Sequence, residues 1–371
     1  MIDVTQIPGQ NDTLPHHSYG LDLLKASAAF LIVLHHLQQD AHIHFQHFNF
    51  YGGRINFGFL VELFFIVSGF LLLLSEQRKR LQAQQMGLVE SLIYRWERIW
   101  PMAALSILAY IPLCWAYKVI TGSWIFGQKQ GLWSAISSLF LIFAGGISRD
   151  IHGMNNPTWY LCVLLICYAL FYISLWLSHR LKLAPWTFFT FLMLLGIGAR
   201  SFNAALPFLQ SSSQRGYASF FLGVLLAEAL PYLKKYKQLR PFCTLIIFIS
   251  ATCLATGKLI DNQWAVLTFV LYPALVILLY ESKLINSILK HPIVSLLGAS
   301  SYAVYLWHTP LELFAALVLA LSDIHYQASL LSLIICALAI ELFGIACHQL
   351  VEKQLIGWTK TQHSRIKAAL K

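Results

Sequence analysis

Charge is what this chain has least of. Charged residues make up 11% of it, against about 25% in soluble domains, and that shortage excludes an ordinary water-soluble fold. No two cysteines stand in a C-x-x-C spacing. The seven present (Cys114, Cys162, Cys167, Cys243, Cys253, Cys336 and Cys347) lie almost wholly inside apolar segments, so neither a zinc site nor a disulfide framework is supported, and packed thiols are expected. Met1 to Ser18 holds no Lys or Arg and no apolar run, which argues against a signal peptide. Repeats of fixed period and low-complexity segments are also missing. What remains is apolar: 58% hydrophobic residues with a mean hydropathy of +0.64. These values describe a polytopic membrane protein, and 371 residues leave little room for a separate soluble domain. The net charge of +10 is scattered between apolar segments rather than gathered in a tract. It reads as topology, and no nucleic-acid partner is expected.

Apolar runs of roughly 17–25 residues mark membrane spans. Ten are expected, at about 20–37, 58–75, 98–117, 158–177, 185–202, 216–231, 241–257, 264–280, 294–321 and 328–350. The ninth is long enough to be tilted or broken near Pro310. An eleventh apolar piece, Leu132 to Gly146, is short and ends in a Gly pair; it reads as re-entrant, with a full span as the alternative. Lys and Arg concentrate in the loops after the even-numbered spans and in the tail. Arg78, Lys79, Arg80, Arg95 and Arg98 open that series and Lys353 to Lys371 close it. The asymmetry puts both termini in the cytoplasm, and counting 132–146 as a span would spoil it. The expected class is therefore an all-α, multi-pass integral protein of the cell membrane, of the bacterial cytoplasmic type. Its parts are a cytoplasmic N-terminal segment (1–19), a membrane domain (20–350) and a basic cytoplasmic tail (351–371).

Charges inside spans cost roughly 2.5–3.5 kcal/mol each at the bilayer centre on insertion scales and normally face a protein interior or wet cavity. Four groups of such residues stand out. In LDLLKASAAFLIVLHHL, Asp22, Lys25 and His36 share one helical face, because eleven residues are close to three turns. A histidine there can take a proton from a hydroxyl near neutral pH, or it can be a satisfied structural group. His35 points about 100° away and reads as packing. In VELFFIVSGFLL, Glu62 either orients the His36 imidazole, as the carboxylate does in a hydrolase triad, or pairs with a structural arginine. Ser68 and Gly69 of the same run favour close helix packing.

In YRWERIWP, Arg95 and Arg98 lie three apart. They can grip phosphates bidentately or serve as positive-inside anchors among lipid headgroups. In LGASSYAVYLWHTPLE, Ser301, Tyr305, His308 and Glu312 form one polar helical face suited to lining a cavity shared with His36, while Tyr302 and Trp307 read as packing aromatics. The loop holding His42, His44 and His47 could bind a metal, but it has no carboxylate or thiol pattern. It reads as an interfacial aromatic loop, and no metal is expected.

Taken together these motifs resemble the acyltransferase-3 family of polytopic membrane acyltransferases. Lys25 and His36 match the family's basic residue, ten residues, then histidine; Asp22 matches the acid ahead of it. VELFFIVSGF, RWERIWP, LGASSYAVYLWHTP, GYASFFLGVLLA with Arg215 before it, and HQLVEK with Glu352 are similar to further family elements. The resemblance implies transfer of an acyl group, commonly acetyl from acetyl-CoA, to a hydroxyl of a cell-surface or secreted carbohydrate or glycolipid. His36 would be the base with Glu62 beside it, and Arg95 and Arg98 would serve the CoA end. Asp22, Lys25, Ser68, Tyr305 and His308 would be supporting residues. NNPTWYLCVLLICYALF departs from many members: Cys162 and Leu164 stand where an acid commonly follows the tryptophan. No appended hydrolase-like domain is expected after the tenth span. The rival function is a polysaccharide or proton-coupled solute transporter using the intramembrane charges as a relay.

Overall fold

A computed structural model of the chain describes residues 17–46, 48–82, 86–125, 130–147, 152–257, 262–322 and 328–358. The 1–16 stretch of the N-terminal segment, His47 and the 359–371 part of the basic tail lie outside the described residues. The described residues form helices and no strands. They are α1 (Tyr19–Asp40), α2 (Leu60–Leu81), α3 (Leu88–Thr121), α4 (Leu132–Leu139), α5 (Trp159–Leu181), α6 (Pro185–Ser201), α7 (Ser211–Leu233) and α8 (Leu239–Ala255). After them come α9 (Gln263–Val266) and α10 (Tyr272–Glu281), joined by a π turn at Leu267–Leu271, then α11 (Lys283–Ile288), α12 (Pro292–Ser322) and α13 (Leu330–Cys347).

Eight helices among the described residues are long and apolar enough to cross a membrane, so the chain is a multi-pass membrane protein. The expected spans at 185–202 and 241–257 form α6 and α8, each 17 residues. At 1.5 Å per residue that is about 25 Å, just short of the ~30 Å hydrocarbon core. The 132–146 segment contains only the eight-residue α4, about 12 Å long, and so holds no spanning helix. Large apolar side chains such as Leu245, Phe248, Leu331, Leu338 and Leu342 point outward, as lipid contact requires and an aqueous surface would not tolerate.

Pro310 does not break the ninth span: α12 runs 31 residues through it. A proline withdraws the N–H that the carbonyl four residues earlier would accept. That carbonyl, Leu306 C=O, instead accepts from Asn155 Nδ2 at 2.9 Å. Asn155 is fully buried and sits at φ 55°, a left-handed conformation that asparagine adopts more readily than most residues.

Two sets of helices pack through small residues. One contains α2, α5, α6 and α7; the other contains α1, α3, α12 and α13. Between α2 and α7 the backbones nearly touch, since a Cβ on Gly69 would meet the Phe220 carbonyl and one on Gly223 the Ile66 carbonyl. Without a hydrophobic drive between helices in lipid, such close approach supplies the association energy. Gly223→Ala is therefore expected to lower the thermal midpoint in detergent, by an overpacking cost of about 1–3 kcal/mol. Gly198→Ala on α6, where nothing lies within 4 Å, should leave it unchanged or raise it. Equal midpoints for the two variants would remove the packing argument.

Candidate active site

Helices α1 and α12 run side by side in the same direction, and three matched levels show it. At one end Gly298 abuts Asp22, so closely that a Cβ would collide with the aspartate. Further along, the His36 and His308 rings stack, with centroids 5.2 Å apart and planes 26° from parallel. One turn further, Asp40 and Glu312 meet carboxyl to carboxyl. Both Glu312 oxygens are buried without a hydrogen-bond partner. Asp22 holds Lys25 at 2.9 Å and His17 at 2.6 Å. Lys25, paired with Asp22, thus stands about 16 Å from His36 by helical rise.

His308 is fully buried. Its Nδ1 lies 2.7 Å from the Tyr305 carbonyl; a carbonyl can only accept, so Nδ1 carries the proton and Nε2 presents a lone pair. Nε2 is buried and has no hydrogen-bond partner. Tyr305 is held by its own hydroxyl, which donates to the Pro157 carbonyl at 2.7 Å. His36 keeps partial exposure as a residue, and its ring hydrogen-bonds the Gln39 side chain. His35 donates from Nδ1 to the Phe50 carbonyl at 2.8 Å and packs edge-on against Tyr51, tying α1 to the following loop.

Glu62 is fully buried and Arg215 grips both its oxygens, Nε to Oε1 at 2.6 Å and Nη2 to Oε2 at 2.8 Å. Trp264 Nε1 adds a third bond at 3.0 Å. Of the two roles open to Glu62 from sequence, the geometry displays the arginine pair, and His36 stacks on His308 instead. Arg215 lies over the Trp159 ring at 4.9 Å, and with Trp159, Asn156, His152, Ser211 and Ser212 it lines a cavity of ≈ 170 Å³. The ~10–15 Å³ that admits one water is exceeded more than tenfold, so this space suits an organic ring. Asn155 and Pro157, which bond to α12 just before His308, directly adjoin the cavity residues Asn156 and Trp159. Ser68 bonds the Tyr160 hydroxyl at 2.9 Å, within the α2–α5 contact.

At the other end, Arg95 is buried, reaches Glu76 at 3.2 Å and lies over the Tyr168 ring at 5.7 Å. Its Nε is buried without a partner. Arg98 is exposed and lies within electrostatic reach of Glu352, Tyr168 and Tyr302. Tyr302 donates to the Ile99 carbonyl at 2.7 Å, six residues before His308, or about 9 Å of helical rise. The arginines therefore sit toward the Asp22 end, with the histidine pair further along.

A family model described as an acyltransferase domain matches residues 18–347, nearly the whole chain and every helix described above. The chain belongs to the acyltransferase-3 family. No curated protein and no solved structure matches it.

In this acyltransferase the structure brings His36 and His308 together, and Tyr305 with them (rings 5.8 Å from His308). Lys25, Asp22, Arg95 and Arg98 are kept toward the opposite end. Cys162 and Leu164, at the positions where an acid often stands, are buried core residues. Among the described residues no group of three or more His, Cys, Asp or Glu is placed to hold a metal. Sequence reasoning missed Asn155, Asp40, Trp264 and Glu76. Pro310 signalled that Leu306 needed a donor, but nothing local named Asn155, which lies 151 residues away.

Proposed function

We propose that this membrane acyltransferase moves an acyl group, acetyl in the first instance, from acyl-CoA to a hydroxyl of a cell-surface carbohydrate or glycolipid, working in the bacterial cytoplasmic membrane. The observation that carries the reading is the stacked His36–His308 pair between α1 and α12, with an arginine pair toward one end. His36 removes the hydroxyl proton, since the residue keeps partial exposure where His308 has none. The hydroxyl oxygen bonds to the acyl carbon, and the C–S bond breaks with its electron pair leaving on sulfur as the CoA thiolate, which takes up a proton. A water-poor site keeps the acyl group from hydrolysis.

Arg95 and Arg98 take the CoA phosphates, and the pantetheine arm runs along α12 toward the histidines. Lys25 and Asp22, at the same end, complete that charged entry. The acceptor ring occupies the cavity walled by Trp159, Asn156, Ser212 and Arg215. A carbohydrate fits such a lining, since an aromatic face meets its C–H side and the amide, hydroxyl and guanidinium groups meet its hydroxyls. Glu62 acts there by fixing Arg215, and Ser68 and Tyr305 by holding the walls.

Arg95→Ala tests the donor end. Losing a charge-assisted contact to phosphate is worth about 1.5–3 kcal/mol, so the KM for acetyl-CoA should rise about ten- to a hundredfold with a smaller change in kcat. An unchanged KM would detach Arg95 from the donor.

A further inference from the structure

We propose that His308 is the nucleophile of this site and carries the acyl group between donor and acceptor; the inference rests on the acyl-transfer reading above. Two imidazoles stack where one general base would suffice, and they differ in exposure and in what holds them. His36 is half-buried, with its ring bonded to Gln39. His308 is sealed from solvent, its Nδ1–H is fixed on the Tyr305 carbonyl and its Nε2 lone pair meets no donor. A buried polar atom left unpaired calls for an explanation, and chemistry at that atom is one. Two neighbours lock the turn that presents it: Asn155 on the Leu306 carbonyl and the Tyr305 hydroxyl on Pro157. A general base needs a hydroxyl within reach, which favours the more open His36; an acyl-imidazole needs exclusion of water, which favours His308.

In the first half-reaction the His308 Nε2 lone pair attacks the thioester carbonyl. The N–C bond forms and the C–S bond breaks. The electron pair leaves with sulfur as the CoA thiolate, which takes a proton from solvent. The acyl-imidazolium keeps its Nδ1–H on the Tyr305 carbonyl, whose partial negative charge stabilises the cation. In the second half-reaction the acceptor hydroxyl attacks the acyl carbon while His36 takes its proton. The C–N bond then breaks, Nε2 regains its lone pair and His36 returns the proton to solvent. Histidine is an established covalent nucleophile in such two-step transfers.

The test is isotope exchange between acetyl-CoA and radiolabelled free CoA, with purified protein in proteoliposomes and no acceptor present. Acyl transfer to glycans is measured in parallel. Wild type should exchange label, because the first half-reaction is reversible. His36→Gln should keep exchange while transfer falls, and His308→Gln should lose both. Transfer by wild type without exchange would overturn the acyl-His308 step and leave the acyltransferase reading intact. Exchange surviving in His308→Gln and lost in His36→Gln would place the nucleophile on His36 and overturn it equally. Absence of both transfer and thioester loss in wild type would instead sink the functional reading itself.

Discussion

His36→Ala is expected to cut acyl transfer from labelled acetyl-CoA about 10²–10⁴-fold, the usual contribution of a positioned general base. The substitution removes the ring of a partly exposed residue at one side of the α1–α12 seam. It leaves the Gly298–Asp22 contact and the Asn155 clamp on Leu306 in place, so the variant should fold. Thermal midpoint and detergent gel filtration check that, and transfer in proteoliposomes gives the rate. A folded His36→Ala protein with the full wild-type rate would remove His36 from the chemistry.

Glu62→Ala should have the largest effect on stability. Its carboxylate is fully buried and accepts three bonds, two from Arg215 and one from Trp264. Removing one partner of a buried ion pair strands the other charge and costs about 3–5 kcal/mol. Arg215 retains the Gly58 carbonyl at 3.0 Å and the Trp159 face, neither of which neutralises it. The expected result is a sharply lower thermal midpoint, partly restored in Glu62→Ala/Arg215→Met, where no unpaired charge remains. Equal midpoints for the single and double variants would mean that the stranded Arg215 charge is not what destabilises the single variant.

The architecture was largely legible because lipid imposes simple rules. Long apolar runs such as Leu60 to Leu74 can only be helices in a bilayer, and the Lys and Arg between them mark loops. Length near the threshold was harder to judge, and α6 and α8 come out at 17 residues. The site was legible where chemistry follows helical period: Asp22 with Lys25, or Tyr305 with His308. It was not legible where the partner lies on another helix. Glu62 allowed two partners on sequence grounds, and only packing brings Arg215 from 153 residues away. The polar face of α12 was legible as the lining of a cavity shared with His36, and the two histidines do stack; that Asp40 would meet Glu312 one turn further was not legible.

The most direct measurement of the central claim is the fate of a labelled thioester in sealed proteoliposomes holding the purified protein. Acetyl-CoA is supplied on one face and a glycan acceptor on the other, and solute flux is followed alongside. The account expects CoA release matched by label appearing as an ester on the acceptor, abolished by His36→Ala, with no solute flux in the absence of acyl-CoA. Solute flux without thioester consumption would contradict it and mark the buried charges as a transporter's relay.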